Sequence, residues 1–311
     1  MKNLKVVFMG TPAFSVPVLE KLIKLTNVVL VVSQPDREKD RKGNLLPTPT
    51  KLVAQNNDIE VYQPLKIKEE YQKILDTNPD IVITCAYGQI IPEPILNYPK
   101  YKCINVHGSL LPKLRGGAPI HHAIINGDKK TGITIMYMAK TMDAGDIISQ
   151  REIDIEETDN LDSLYQKMSI LGSELLADTL PNIINGTNQK IKQDEAKVTF
   201  GYNITKEEEK INFQEKSENI HNRIRGLSSI PGAYAILDDK RIKVYESKLT
   251  KEKSKKEPGT IEKIDKTGIY VSTKDNLISL TDIKLEGKKR CLVSDFVNGI
   301  KPTEYIGKVL K

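Results

Sequence analysis

The chain has 311 residues, 39% hydrophobic and 28% charged, with a net charge of +6. That length suits two domains and that balance a globular protein; the densest apolar run, Val28 to Val32, is strand-sized against the roughly 20 residues a membrane helix needs. Three scattered cysteines, Cys85, Cys103 and Cys291, form no CxxC pair, which argues against a disulfide framework or a zinc site and for a reducing compartment.

Leu4 to Gly10 reads as a buried strand, and Met1 to Lys5 leads straight into it, so no signal or transit peptide is expected and the cytoplasm is the simplest location. Phe14 to Leu25 follows as a helix with Val18, Leu22 and Leu25 on one face, then a strand at Val28 to Ser33. Gln34 to Thr50 is a long polar loop with a charged centre, a length that inside a compact domain marks function or disorder. A helix over Lys51–Asn57, a strand over Ile59–Tyr62 and a helix over Glu69–Leu75 come next. Asp80 to Tyr87 is a near-continuous apolar strand, as parallel sheets require. Cys103 to Val106 and Thr134 to Met138 are further strands around a helix at Ala118–Ile125. Leu161, Leu164, Met168, Leu171 and Leu175 give a long amphipathic helix that should end near Pro181. This alternation predicts an α/β fold, a Rossmann-like doubly wound parallel sheet whose ligand crevice lies at the carboxyl ends of its strands.

Residues 189–205 lie in a polar stretch without a clear period and read as a linker. A helix over Asn219–Leu227 follows, then short strands at Ala233–Leu237, Ile242–Ser247, Gly259–Ile264, Gly268–Ser272 and Leu277–Ile283, separated by turn residues; Val293–Ile300 reads as a capping helix. That spacing predicts a small β-barrel over 206–311. Residues 206–311 hold 23 Lys+Arg against 17 Asp+Glu, whereas residues 1–205 hold 24 of each. The excess fits a polyanionic partner and equally a Lys-rich surface.

Gly10-Thr11-Pro12 opens like a dinucleotide fingerprint but lacks its second and third glycines, and no acid ends the second strand, which argues against a nicotinamide cofactor. Among the four histidines, His221 and at least one of His121 and His122 read as surface residues. His107 stands just past a buried strand, two residues after Asn105, so both side chains share one side of the extended chain. They are either a reactive pair or a satisfied structural one. Asp143 and Asp146, in a turn read at the same edge of the sheet, either reach the imidazole or only form the turn. An amide, an imidazole and a carboxylate with no adjacent Ser or Cys nucleophile suit direct acyl transfer to an amine better than covalent catalysis. The histidines and acids show no metal-ligand spacing.

Asn105-Val106-His107-Gly108-Ser109-Leu110-Leu111-Pro112, Arg115-Gly116-Gly117-Ala118-Pro119-Ile120, Thr131-Gly132-Ile133-Thr134 and Met142-Asp143-Ala144-Gly145-Asp146, in that order, resemble the core of the 10-formyltetrahydrofolate-dependent formyltransferases. Phe8 to Pro12 and the segment from Gln34 through Pro47 bring the chain nearest to members that formylate methionine on initiator methionyl-tRNA. The resemblance covers essentially the whole chain. It implies a formyltransferase catalytic domain over 1–188 and an OB-like, tRNA-binding barrel over 206–311. It also implies 10-formyltetrahydrofolate as co-substrate, initiator methionyl-tRNA as partner, no metal, no membrane and a monomer. Carried over by position, it makes Asn105, His107 and Asp143 catalytic. Ser109, Leu110, Leu111 and Pro112, with Cys85, Tyr87, Gly88 and Ile91, become folate-binding and Arg41 tRNA-binding; Arg37 and Lys42, in the same charged loop, are expected to enter the acceptor end with it. Sister enzymes that formylate an amino sugar on a nucleotide share this core and a similar second domain; the charged loop and the basic barrel favour tRNA.

Overall fold

The computed structural model describes residues 1–39 and 42–311, whose contacts group into two compact units. The first comprises Met1–Pro119, Lys130–Asp154 and Tyr165–Tyr202; the second comprises Ile120–Lys129, Ile155–Leu164 and Asn203–Lys311.

The first unit is built on seven strands: β1 (Lys5–Gly10), β2 (Asn27–Val32), β3 (Val61–Tyr62), β4 (Ile81–Cys85), β5 (Cys103–His107), β6 (Lys130–Tyr137) and β7 (Ile147–Asp154), in the order β3-β2-β1-β4-β5-β6-β7. From β3 to β5 the pairing is parallel, and the residues of β4 are buried without exception, as a strand covered on both faces demands. The helices are α1 (Val16–Leu25), α2 (Pro49–Gln55), α3 (Gln72–Asp76), α4 (Glu93–Asn97), α5 (Pro119–Ile125), which runs into the second unit, and α6 (Leu161–Asn185), which starts there. One face of the sheet presents Val7, Met9, Leu30, Val32, Val82 and Cys103 to Ile74 of α3 and to Ile95 and Leu96 of α4. On the other face Gly172 of α6 lies against Val106 and Ile133.

Three features depart from the sequence reading. β6 runs antiparallel to both β5 and β7, a direction that an apolar run does not encode. β7 was not foreseen, because an edge strand that alternates buried and exposed positions carries a weaker apolar signal. And α6 continues through Pro181 to Asn185, since packing outweighs one missing backbone donor. Up to Tyr202, the stretch read as linker lies along the first unit: Ile191 bridges Ile147 and Phe200 bridges Arg115.

The second unit contains α7 (Ser217–Gly226) and strands β8 (Ala233–Leu237), β9 (Lys240–Lys253), β10 (Ile261–Asp265), β11 (Gly268–Val271), β12 (Asn276–Leu285) and β13 (Cys291–Leu292), followed by a single turn of helix, α8 (Val293–Phe296). All pairs are antiparallel, in the order β10-β11-β12-β9-β8 with β13 on β12. The terminal residues close this sheet into a barrel. Lys311 exchanges backbone hydrogen bonds with Ile236 of β8, while the Ile261 amide donates to the Lys308 carbonyl and the Leu310 amide to the Gly259 carbonyl. Closure removes the free edges an open sheet would expose. Ile220, Ile224 and Leu227 close the interior against Val244, Val271, Ile278, Leu280 and Ile283. His221 is half-buried there, its Nδ1 2.9 Å from the Ser247 hydroxyl, rather than the plain surface residue expected from its position on a polar helix.

Candidate active site

β5 carries two polar side chains on one face, Asn105 and His107, two residues apart. The Thr84 hydroxyl, from the neighbouring strand β4, donates to Asn105 Oδ1 at 2.8 Å. With its oxygen engaged, the amide keeps its NH2 as a donor. His107 is buried, with Nε2 3.1 Å from the Leu114 carbonyl. A carbonyl only accepts, so Nε2 carries a proton and donates it there. Facing Nδ1, at 3.7 Å, is Asp143 Oδ1.

Asp143 reaches this place by a route the sequence did not show. Because β6 is antiparallel, its end lies at the opposite edge of the sheet from His107, with Tyr137 paired to Ile104. Residues 138–145 therefore make an excursion that starts and ends beside Tyr137, whose amide donates to the Asp146 carbonyl. The excursion brings Asp143 back to the imidazole. Its Oδ2 accepts the Gly116 amide at 2.9 Å, which leaves Oδ1 toward the ring. Gly116 has φ +127°, and a Cβ there would stand 2.6 Å from the Gly201 carbonyl oxygen, so only glycine serves. Asp146 pairs with the end of β6 and does not join His107.

Residues 109–118 form a loop tied down from two sides. Thr134 of β6 donates to the Ser109 carbonyl at 2.6 Å and accepts the Leu111 amide at 3.1 Å, and Gln150 donates to the Leu111 carbonyl at 2.8 Å. The segment after α6 supplies the other side: Thr199 Oγ1 accepts the Leu114 amide, and Arg115 and Gly201 bond through their backbones.

Family models match the chain over residues 3–180, described as formyl transferase, and over 203–301, described as formyl transferase C-terminal domain. The chain belongs to the formyl transferase family. A relative from Staphylococcus aureus strain MW2, named methionyl-tRNA formyltransferase, is 48% identical over 98% of this chain and 99% of its own length. Among solved structures, a methionyl-tRNA formyltransferase from Clostridium thermocellum superposes with a TM-score of 0.55 at 19% identity, over 79% of this chain and 94% of its own. A Helicobacter canadensis N-formyltransferase, in complex with folinic acid and dTDP-3-aminofucose, gives 0.66 at 24% identity, over 90% and 99%. HypX from Aquifex aeolicus, bound to tetrahydrofolic acid, gives 0.66 at 15%, over 95% and 47%. At these identities the superpositions establish the fold alone.

Seen as a formyl transferase, the chain distributes its expected ligand residues unevenly. Cys85, Tyr87 and Ile91 are buried, and Leu111 packs with Met136 and Ile147. Burial pushes the Cys85 thiol up to about 12, so it is a neutral packing group rather than a nucleophile. The Ser109 hydroxyl is spent on the Lys113 carbonyl, at 2.6 Å. Leu110 covers Gly132 and Pro112 is half-buried. Gly88 is exposed at φ +91°. These two stretches thus offer a ligand mainly backbone and shape. Arg37 and Lys42 are exposed in the charged loop, whose base is held by Asp36. Burial raises the Asp36 pKa, but bonds from Lys51, Gln63 and the Thr48 amide outweigh it and hold the carboxyl below its ordinary value. Arg41 lies outside the described residues. Thr84 was missed in the sequence; the one signal was a hydroxyl inside an apolar strand, which must find a partner.

Proposed function

We propose that this formyl transferase moves the formyl group of 10-formyltetrahydrofolate to the α-amino group of methionine on initiator methionyl-tRNA, giving N-formylmethionyl-tRNA. The observation that carries this reading is 48% identity to a methionyl-tRNA formyltransferase over nearly the full length of both chains. Catalysis is assigned to residues 1–188 and RNA binding to 206–311, with 189–205 between them and Arg37, Arg41 and Lys42 at the acceptor end. The reaction belongs to the cytoplasm, where tRNA is charged, and needs one copy of the chain.

The neutral amine attacks the formyl carbon, forming a C–N bond as the bond to folate N10 breaks. An α-amine, with a reference pKa of roughly 8, is partly neutral near pH 7. Negative charge grows on the formyl oxygen, and the NH2 of Asn105 donates to it. The His107–Asp143 pair takes the proton the amine loses and returns it to N10. Asp143 faces the imidazolium so formed and stabilises it. Folate is held by residues 85–92 and 109–112, chiefly through backbone.

The test offers three acceptors with labelled 10-formyltetrahydrofolate: initiator methionyl-tRNA, free methionine and an amino-sugar nucleotide. Label passes to methionyl-tRNA alone if the reading is right. Transfer to the sugar nucleotide in preference to the tRNA overturns it.

A further inference from the structure

We infer that Gln193 is a positioning residue for the transfer: together with Arg115 it fixes the turn that holds Asp143 against His107. The inference rests on the function proposed above. Gln193 lies in the polar segment after α6, where nothing in the composition marks it. Its single carboxamide makes three bonds. Nε2 donates to the carbonyls of Asp143 at 2.7 Å and Gly145 at 2.9 Å, and Oε1 accepts Arg115 Nε at 3.0 Å. Both amide protons and an oxygen lone pair are therefore in use, a set that neither a carboxylate nor an alkyl chain reproduces.

The turn needs such a clamp. Asp143 stands at φ +51°, left-handed backbone that is costly for a non-glycine residue and persists only where its surroundings fix it. At Gly145 a Cβ would fall 1.8 Å from the Tyr137 carbonyl oxygen, so the turn lies flush against β6 on one side and is held by Gln193 on the other. Arg115 sets Gln193 in turn. Its side chain is only 4% exposed, and it meets Glu195 through both terminal nitrogens, at 2.8 and 3.3 Å, which aims Nε at the carboxamide. Arg115 also lies between the two groups that address the imidazole from the loop: the Leu114 carbonyl on Nε2 and the Gly116 amide on Asp143. One side chain thus joins the loop behind Nε2 to the turn in front of Nδ1.

Two measurements on the full chain test this. In kinetics with both substrates varied, Gln193→Leu lowers kcat about 10- to 100-fold, the scale of a misplaced catalytic group, and leaves both KM values within about 3-fold. Gln193→Glu falls as far, because its oxygens would face two carbonyl oxygens. In an Asp143→Asn background the same Gln193→Leu change costs less than about 3-fold, because its effect passes through Asp143. Arg115→Lys, which keeps a charge beside Glu195 but loses Nε–H, gives the same kcat-only loss if Gln193→Leu does not fold. Equal losses in both backgrounds, or a loss carried by KM, overturn the inference. The second measurement needs no activity: in protein with ¹⁵N-labelled histidines, the His107 ring nitrogens at one fixed pH resonate alike in Gln193→Leu and Asp143→Asn and apart from wild type. Wild-type resonances in Gln193→Leu overturn the inference, whereas a wild type that fails to formylate methionyl-tRNA overturns only the function.

Discussion

Thr84 is the smallest group on which the site depends. Its hydroxyl stands at the end of a fully buried strand and gives Asn105 its orientation. Replacing Asn105 by Ala removes the proposed oxyanion donor and should cut kcat by about 10²- to 10³-fold. Thr84→Val keeps the shape and removes only the hydroxyl, so the amide loses its fixed direction and kcat falls about 10-fold, while stability changes by about 1 kcal/mol. Steady-state kinetics beside urea melts check both; an unaltered kcat in Thr84→Val would remove it from the mechanism. Tyr87 presents the reverse case. Among the described residues its hydroxyl is buried without a hydrogen-bond partner, within the apolar cluster of Met9, Val32 and Ile91. An unpaired buried hydroxyl opposes folding, so Tyr87→Phe should raise stability by about 1 kcal/mol. Under the function proposed above, in which this stretch meets folate through backbone, the folate KM should stay unchanged. A weakened folate KM would show instead that the hydroxyl itself binds.

At the scale of elements, α5 and α7 carry histidines whose burial makes the second unit sensitive to acid. Burial, reinforced by the neighbouring His122, pushes His121 down to about 4 against a backbone hydrogen bond with Ile230. Burial lowers His221 as well, and Arg225 adds to it. The unfolded chain binds these protons near pH 6.5 and the folded chain only at lower pH. Their stabilising contribution is therefore complete above pH 6.5 and drains away as pH falls toward 4. For His121 alone the loss is about 2 kcal/mol at pH 5 and about 3 kcal/mol below pH 4. Urea unfolding at pH 7.5 and 5 measures it, and His121→Gln should flatten the difference. The strands and helices themselves were largely legible, since uninterrupted runs such as Ile81–Cys85 have few alternatives to a covered strand. Strand direction was not. The sequence left Asp143 as either a partner of the imidazole or a turn former; the structure places it 3.7 Å from His107 through an excursion from the far edge of the sheet, not from a turn at the strand ends. Asn105 and His107 stood out because polar groups at a buried strand end need a use, and the ordered motifs of the family resemblance added Asp143. Gln193 and Thr84 could not, since a glutamine in a polar segment and a threonine in a strand are ordinary until the contacts are seen.

At the scale of the whole molecule, charge and chemistry divide along the chain. The groups around His107 lie in the part of the sequence where charges balance, and the excess of cations falls in residues 206–311. A long RNA substrate needs both: a site of fixed geometry for one amine and a cationic surface for many phosphates. The exposed end of β9 and the turn beyond it supply Lys248, Lys251, Lys253, Lys255 and Lys256 within nine residues, with Glu252 and Glu257 beside them in sequence and Glu262 accepting the Lys255 and Lys256 amides. Cations that meet phosphates displace counterions, so tRNA affinity should fall steeply with salt, by a slope of about −0.7 to −0.9 in log K against log salt for each phosphate engaged. Changing Lys251, Lys253, Lys255 and Lys256 to Ala together should weaken binding and lower that slope by up to about 3. Turnover at saturating tRNA should hold, because none of the four lies in the unit that contains His107. Filter binding across a salt series measures the slope beside kcat. A slope that stays at the wild-type value would move the RNA surface off this strand, and one near zero in the wild type would remove phosphate contacts from the interaction altogether.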